Sequence, residues 1–553
     1  MSIFLPSREI SARSWFALLL LVLICQAAKA QENEAAFLYS SQVKFDRRGV
    51  PLVTIGMAEG LERIELSASS QLYLHFLEDA GGRAGVRKHL VVPPGKVVNL
   101  SIVSASAARV GFWCGVSRLP YGQKEMLDQT VARWREREGS VQVFETGGVM
   151  GLEGLLIDNR TLVVAVRRQE SEAGAEHEAE EIFRATGTKT FVHQHLEKPP
   201  SGVIRIAEEG DAFSFLAVDL VTAEARQSGR VKITLTGGRE LELAGEVIVA
   251  FDRSGKLVLI NRIDVERMLE GLVPAEIPPS VSLEALKAQA VVARGQVFAK
   301  LGARHFLDPY LLCASVHCQV YAGAQAENPR ASEAVRATRG ELLFLGGQLV
   351  DTVYSASCGG HTEDNDAVWS DLASPALRGR LDGPEEFFAQ AAQRFKDLRG
   401  WLADPPPAWC QQGPLGKSGV FRWRRDIPAE DMDRLVAQVK PLGRVVALQP
   451  LERGASGRIK LLRVIGTEGE LVVQRELPIR KLLGNLRSAL FVVDIEYDEK
   501  QMPAVFHILG AGWGHGVGMC QAGAAAMAAA GRDYRAILGH YYGGAEVRRV
   551  YGE

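Results

Sequence analysis

The sequence predicts an α+β chain, rich in β-strand and divided into several domains. Three observations carry this. Short apolar or alternating runs, punctuated by Gly, Pro and Ser, fill residues 40–117 and 202–260. Between them, residues 123–195 switch repeatedly between helical and strand periods. Near the C-terminus, Phe506-His507-Ile508-Leu509 enters a run of alternating glycines that an alanine-rich helix, Gln521–Ala530, leaves. With 553 residues and 47% hydrophobic content, the chain can fill the cores of about two to four domains.

In chain order, residues 1–30 read as a secretory signal peptide. Arg8 and Arg13 precede the apolar run Trp15–Cys25, and Ala28-Lys29-Ala30 follows. The run is short for a membrane span, and Ile24 before Cys25 disfavours a lipoprotein site. No later segment is long and apolar enough to span a bilayer, so the expectation is an exported, soluble protein in the periplasm or at the cell wall. Removing Arg8, Arg13, Lys29 and Glu9 from 64 basic and 66 acidic residues leaves 61 and 65, a net charge of −4. That balance argues against nucleic acid as a partner.

Residues 31–120 form the expected β-rich N-terminal module, with strands at Leu52–Ile55, Ile64–Leu66, Leu72–Phe76, Val97–Val103 and Val110–Trp113. Residues 121–198 predict a small ferredoxin-like α/β module. A helix with Leu127, Val131 and Trp134 on one face leads to Ser140–Glu145 and Leu162–Arg167. A second helix (Ala175, Ala179, Ile182, Phe183) and Lys189–His193 follow. The pattern alone is similar to a SPOR-type glycan-binding module, and a plain packing domain fits it equally. Pro199-Pro200 is the linker candidate.

The last block, 199–553, opens with strands at Val203–Ile206, Phe213–Val218, Val231–Leu235, Leu241–Leu243, Val247–Ala250 and Leu257–Ile260. It then reaches Val273-Pro-Ala-Glu-Ile-Pro-Pro-Ser280. Prolines at 274, 278 and 279 predict that Glu276 sits on a stiff loop. The helix beyond it buries Leu283, Leu286, Ala290, Ala293 and Val297. A carboxylate held against such a helix suits general acid chemistry, because desolvation favours the protonated form. A solvated loop glutamate is the plainer alternative.

His305, Cys313, His317 and Cys318 supply two imidazoles and two thiols, the ligand mixture of a closed tetrahedral zinc site. In an exported protein a Cys313–Cys318 disulfide competes with metal. Tyr354-Ser-Ala-Ser-Cys-Gly-Gly-His-Thr362 and Gly512-Trp-Gly-His-Gly-Val-Gly-Met519 are two glycine motifs that present histidines. A Cys358/His361 nucleophile pair is disfavoured by its three-residue spacing and by the lack of an orienting partner. The alternating glycines never give G-x-G-x-x-G, so they do not read as a dinucleotide site. They suit the backbone-lined wall of a groove for an uncharged polymer. Residues 375–440, with Asp404-Pro-Pro-Pro-Ala408 and Gln411-Gln-Gly-Pro414, are expected to be irregular. Beyond them, strands are expected at Arg458–Ile465, Leu471–Val473 and Phe491–Val493, and a short helix at Leu477–Leu483.

Taken in order, Asn261–Glu276, His317-Cys-Gln-Val-Tyr321, Cys358-Gly-Gly-His-Thr362 and Gly512–Met519 resemble the stage II sporulation protein D (SpoIID/LytB) family, over residues of about 202–550. The resemblance implies a SpoIID-like mixed α/β catalytic domain and a peptidoglycan lytic transglycosylase. Glu276 would be the single acid/base, and the muramic acid C6 hydroxyl would be the nucleophile, giving 1,6-anhydro ends. Peptide-stripped glycan strands are the implied substrate, with contacts from His361, Thr362, Trp369, Trp513, His515, Gln521, Arg294 and Gln289. Core packing is the alternative for Trp369, and a buried hydrogen-bonded role is the alternative for His515. Some members of the family carry a zinc near the His305, Cys313, His317 and Cys318 positions, and a closed four-ligand site would be structural, so no cofactor is required for the chemistry. Cys410 and Cys520 are both candidate disulfide partners of Cys358. Asp364 and Asp366 are the other carboxylates to consider beside the motifs. Two further readings stand beside the enzyme: a non-catalytic wall-binding protein or amidase enhancer with a cell-wall amidase as partner, and a zinc or thiol hydrolase built on residues 305–318.

Overall fold

A computed structural model describes residues 34–79, 85–152, 155–208, 213–227, 229–315, 317–369, 373–416 and 419–552. The signal-peptide reading of residues 1–30 lies outside the described residues. The chain is β-rich α+β, as its patterning predicts, and it divides into two compact units. One unit holds the described residues through Leu272 together with Lys300–Glu327; the other holds Val273–Ala299 and Asn328–Glu553. Among the described residues, no helix is long and apolar enough to cross a membrane.

In the first unit the expected boundary at residue 199 is not realised. Strands from 44–106 and from 201–264 share one sheet of thirteen described strands. Pro51–Leu61 pairs with Leu257–Asp264, and Val98–Ser106 pairs with Ser201–Glu208 from Ser201↔Ser106 to Glu208↔Val98. The cause is apolar area. Ile55, Ile64, Leu100, Ile204, Val249 and Leu259 are fully buried, and neither set of strands could cover such a face alone. Pro199-Pro200 is accordingly a two-residue joint between consecutive strands.

The small α/β module is an insertion in that sheet. It consists of β1 (Arg109–Pro120), α1 (Lys124–Glu138), β2 (Gln142–Thr146), β3 (Thr161–Gln169), α2 (Glu172–Thr186) and β4 (Phe191–Lys198). The sheet order β4-β1-β3-β2, all antiparallel, is the expected ferredoxin-like arrangement. It starts earlier than the sequence suggests, because β1 belongs to it rather than to the strands before. Trp134, Ala175, Ala179 and Ile182 are buried on this sheet, whereas Phe183, expected inside, is exposed.

His193 of β4 is buried between the Phe144 and Phe306 rings, with centroids 4.7 and 5.8 Å away. Burial, with Arg118 nearby, pushes its pKa down to about 4. The unfolded chain therefore takes up this proton first as pH falls. The stability involved is fully present above about pH 6.5 and is lost between pH 6.5 and 4, up to about 3 kcal/mol. His193→Phe is expected to flatten the dependence of the unfolding midpoint on pH in that window, as measured by denaturant titration.

Glu276, at the end of α3 (Val265–Glu276), belongs to the second unit, and α4 (Leu283–Lys300) runs through the core of that unit. Ala288, Ala290, Val291, Val292, Ala293, Val297 and Phe298 are all buried, so α4 is enclosed on nearly every face rather than along one stripe. The region expected to be irregular contains helices Phe388–Phe395, Leu398–Ala403 and Ala429–Ala437 and strand Arg422–Pro428. Its core is small, with Ala391, Trp401 and Leu402 packed beside Leu490 and Ala511. Elements this short leave weak periodicity in a sequence.

Candidate active site

Glu276 does not sit on a loop, as its prolines suggest; it is the last residue of α3, with Pro274 inside the helix. Burial of Val265, Met268, Leu269, Leu272 and Val273 outweighs the cost of the proline, and Ile277 N–H still donates to Val273 O at 3.0 Å. Pro278 then ends the helix, because the residue before a proline is driven away from helical angles. The carboxylate is thus fixed on the final turn and is half-buried.

Two elements meet it. β5 (Tyr354–Ser355) pairs in parallel with β6 (Met519–Cys520), and α5 (Gln521–Ala529) starts directly after β6. The Tyr354 hydroxyl hydrogen-bonds the Glu276 side chain. Burial first, and the Glu276 charge second, push the Tyr354 pKa well up, so it stays a donor across the physiological range. Gln521 Nε2 donates to Glu276 O at 3.0 Å and to Gln289 Oε1 at 3.1 Å. The Gln289 side chain also lies against the Tyr354 hydroxyl.

The two glycine motifs run side by side. Ser357 and Trp513 exchange backbone hydrogen bonds of 3.1 and 2.9 Å, and Glu363 N–H donates to Gly516 O at 2.9 Å. Glycine is required twice here. At Gly516 (φ +79°) a Cβ would fall 2.3 Å from the Arg458 guanidinium, and at Gly518 (φ +69°) 2.1 Å from Val353 O. Arg458 is itself buried beneath the motifs. It donates to Cys358 O at 3.0 Å, to His361 O at 3.4 Å and to Ser456 Oγ at 2.8 Å.

This pairing displays aromatic side chains. Trp369 and Trp513 are 41% and 45% exposed. Trp369 meets His515 edge-on at 4.6 Å, and the Arg487 guanidinium lies 5.1 Å from the Trp513 ring centre. Val517 N–H donates to His515 Nδ1 at 3.0 Å, which assigns the ring proton to Nε2. His361 stacks on Phe395 at 4.8 Å with Nδ1 on Thr362 O at 2.7 Å; burial lowers its pKa, so it is neutral.

Three of the expected substrate contacts, Gln289, Arg294 and Thr362, are buried in the scaffold. Arg294 is fully buried and donates to Glu341 O and Val335 O, where it meets no ligand. Thr362 is buried in reciprocal hydrogen bonds with the Arg380 backbone. The neighbouring carboxylates are all engaged. Arg378 pairs with Asp364 and Asp366, and Glu363 is buried with Ser456 Oγ at 2.6 Å.

In the first unit, His305, Cys313, His317 and Cys318 converge, with all four donor atoms within 4.8 Å of one another. Cys313 Sγ to His317 Nδ1 is 3.6 Å, and Cys318 Sγ to His305 Nε2 is 3.3 Å. Zinc bonds of about 2.0–2.3 Å in a tetrahedron place donors roughly 3.3–3.8 Å apart, so the set fits zinc. Asp308 Oδ2 holds His305 Nδ1 at 2.8 Å and thereby turns Nε2 towards the thiols. Hydrogen bonding from Cys318 pulls the Cys313 pKa well down, giving it thiolate character. The described cysteines are thiols, not the disulfides considered at 313–318, 358–410 and 358–520.

A family model described as "Stage II sporulation protein" matches residues 253–345, which contain α3, α4 and the His/Cys cluster. The Stage II sporulation protein D chains of Bacillus amyloliquefaciens and Bacillus subtilis are 26% identical over 302 residues, covering 52% of this chain and 75% of theirs. The resemblance to the stage II sporulation protein D family is thus supported over residues 253–345 by the family model and over about half of the chain by these relatives. This chain is also 30% identical over 290 residues to the amidase enhancer of Bacillus subtilis, half of this chain but only 39% of that protein. An uncharacterized protein of Brachyspira hyodysenteriae is 27% identical over 294 residues, 68% of its length. A domain of unknown function (DUF8618) matches residues 363–518.

The motifs read in the sequence single out Glu276, His361 and His515 but give no role to Tyr354, the residue whose side chain bonds the Glu276 carboxylate. Its signal was faint: an aromatic directly before the Ser-x-Ser-Cys-Gly-Gly turn. Arg458 and Asp382 gave none, since their partners are distant in the chain.

Proposed function

We propose that this chain is a peptidoglycan lytic transglycosylase in which Glu276 acts alone as acid and then base. The observation that carries the reading is the setting of that carboxylate. It sits on a fixed helical turn, hydrogen-bonded by Tyr354, while Glu363, Asp364 and Asp366 of the nearby motif are bound by Ser456 and Arg378. A hydrolase of the usual kind needs a second carboxylate as nucleophile or as base for water. With one carboxylate, an internal nucleophile completes the chemistry. Glu276 protonates the glycosidic oxygen, then takes the proton from the muramic acid C6 hydroxyl as that oxygen bonds to the anomeric carbon. The product carries a 1,6-anhydro ring and no water is consumed.

The exposed Trp369 and Trp513 rings and the neutral His515 Nε2–H suit an uncharged sugar face. Family relatives support a role at the cell wall, and peptide-stripped strands are the substrate proposed. Trp513→Ala is expected to raise KM about fivefold with kcat nearly kept, because an aromatic stack contributes about 1 kcal/mol beyond area burial. Steady-state cleavage of defined glycan strands measures it. The test of the reaction itself is mass spectrometry of the products: anhydro ends support the reading, and reducing ends would refute it.

The relative named amidase enhancer favours a second reading, in which the chain binds glycan and assists a cell-wall amidase. Co-sedimentation with glycan without any cleavage product would select it. Under either reading, residues 305, 313, 317 and 318 would hold a structural zinc. Four protein donors close such a site and leave no position for a reacting water.

A further inference from the structure

A second convergence of metal-ligating side chains lies wholly inside the second unit. Cys358, Asp382, Cys410 and Cys520 are all buried, and their donor atoms lie within 4.8 Å of one another. We propose that these four side chains form a second, closed zinc-class metal site that fastens the two glycine motifs to the segment around residues 382–410.

The spacing favours metal over a cross-link. Cys358 Sγ and Cys410 Sγ are 3.6 Å apart. Two thiolates on a tetrahedral zinc stand about 3.8 Å apart for bonds of about 2.3 Å, whereas a disulfide bond is about 2.05 Å long. The surroundings offer donors to sulfur. Cys520 Sγ accepts the backbone N–H groups of Cys358 at 3.2 Å and Gly523 at 3.4 Å, the kind of outer hydrogen bond that orients a metal-bound ligand. Asp382 is oriented from behind: its Oδ1 accepts the Tyr541 hydroxyl at 2.9 Å and faces His540 Nε2 at 3.2 Å. Its Oδ2 accepts the Cys358 thiol at 2.9 Å, a proton that a metal held between the two would displace. A carboxylate anchored through one oxygen and offering the other is what a buried ligand requires.

The charge balance points the same way. Three thiolates and a carboxylate carry four negative charges, which burial makes untenable without cations. The Arg422 guanidinium feels the charge of Cys410 and Cys358, and it donates to the backbone carbonyls of Leu402, Phe421, Trp401 and, at 2.9 Å, Gly359. With Arg422, a divalent ion brings the total from −4 to −1, and hydrogen bonds from Tyr541 and from the Cys358 and Gly523 N–H groups stabilise what remains. On binding, each ligating thiol loses its proton to solvent and no electron is transferred.

The ligands come from both glycine motifs: Cys358 directly precedes Gly359-Gly360-His361, and Cys520 directly precedes Gln521. The site therefore braces the strands that carry the active-site side chains, and it does so whether the chain cleaves glycan or only binds it.

The experiment is zinc content per chain by elemental analysis of the purified protein, alongside Cys410→Ser and Cys313→Ala/His317→Ala. Two zinc ions are expected in the parent and one in each variant. The second variant, refolded with cobalt, is expected to keep thiolate-to-cobalt charge-transfer absorption. Cys410→Ser holding as much zinc as the parent would overturn the proposal. So would a metal-free Cys313→Ala/His317→Ala protein, or a parent two hydrogens lighter with a Cys358–Cys410 cross-link in its peptides. If Cys410→Ser does not fold, the metal retained by the double variant decides alone. A parent with one zinc that only Cys410→Ser loses would keep this site and remove the one at 305–318.

Discussion

Glu276→Gln is expected to abolish glycan cleavage, lowering kcat at least about 10³-fold. General acid–base catalysis contributes about 10²–10⁴-fold, and here one group carries both proton transfers. The amide keeps the size and the hydrogen-bonding reach of the side chain, so the Tyr354 hydroxyl retains a partner. Because Glu276 is half-buried at a helix end, the unfolding midpoint is expected to change little. Anhydro-ended fragments counted by mass spectrometry, with thermal unfolding of the same samples, check both halves. Full activity in the amide variant would remove Glu276 from the chemistry.

The largest effect on stability is expected from Arg458→Met. The guanidinium donates beneath both glycine motifs, and its charge acts on the buried Glu363. Its loss strands that carboxylate, whose pKa burial already raises. Removing one member of a buried charge network costs about 3–5 kcal/mol. For a unit of this size that corresponds to a fall in midpoint of roughly 10 °C. Adding Glu363→Gln is expected to recover part of the loss, since the two substitutions remove opposite members of one network. A double variant as damaged as the sum of the singles would show that the residues act independently.

Both expectations rest on features of unequal visibility in the sequence. The proline-flanked glutamate, the His/Cys cluster and the two glycine motifs are short, local and compositionally unusual, so they stand out without a structure. The ferredoxin-like pattern is visible for the same reason: each of its helices and strands has a clear period. What escapes is non-local. That strands 44–106 and 201–264 share a sheet has no local signature, because the pairing partners lie on either side of an insertion. The prolines around Glu276 argue for a loop on local grounds, and only the buried face of α3 overrides them. Tyr354, Asp382, Cys410 and Arg458 acquire their meaning from partners far along the chain, so composition and spacing are silent about them.

The pairing of Ser106 with Ser201 has a consequence for how this chain can be rebuilt. The two strands form one hairpin whose connection happens to be an entire folded cassette. Its entry and exit points are neighbours, so excising residues 107–200 leaves ends that a tight turn can join. The entropy of closing so long a loop grows only with the logarithm of its length. The hairpin can therefore tolerate cassettes of different size, or none, without losing its register. The fold treats this position as a socket, open to exchange of whatever module the chain presents there.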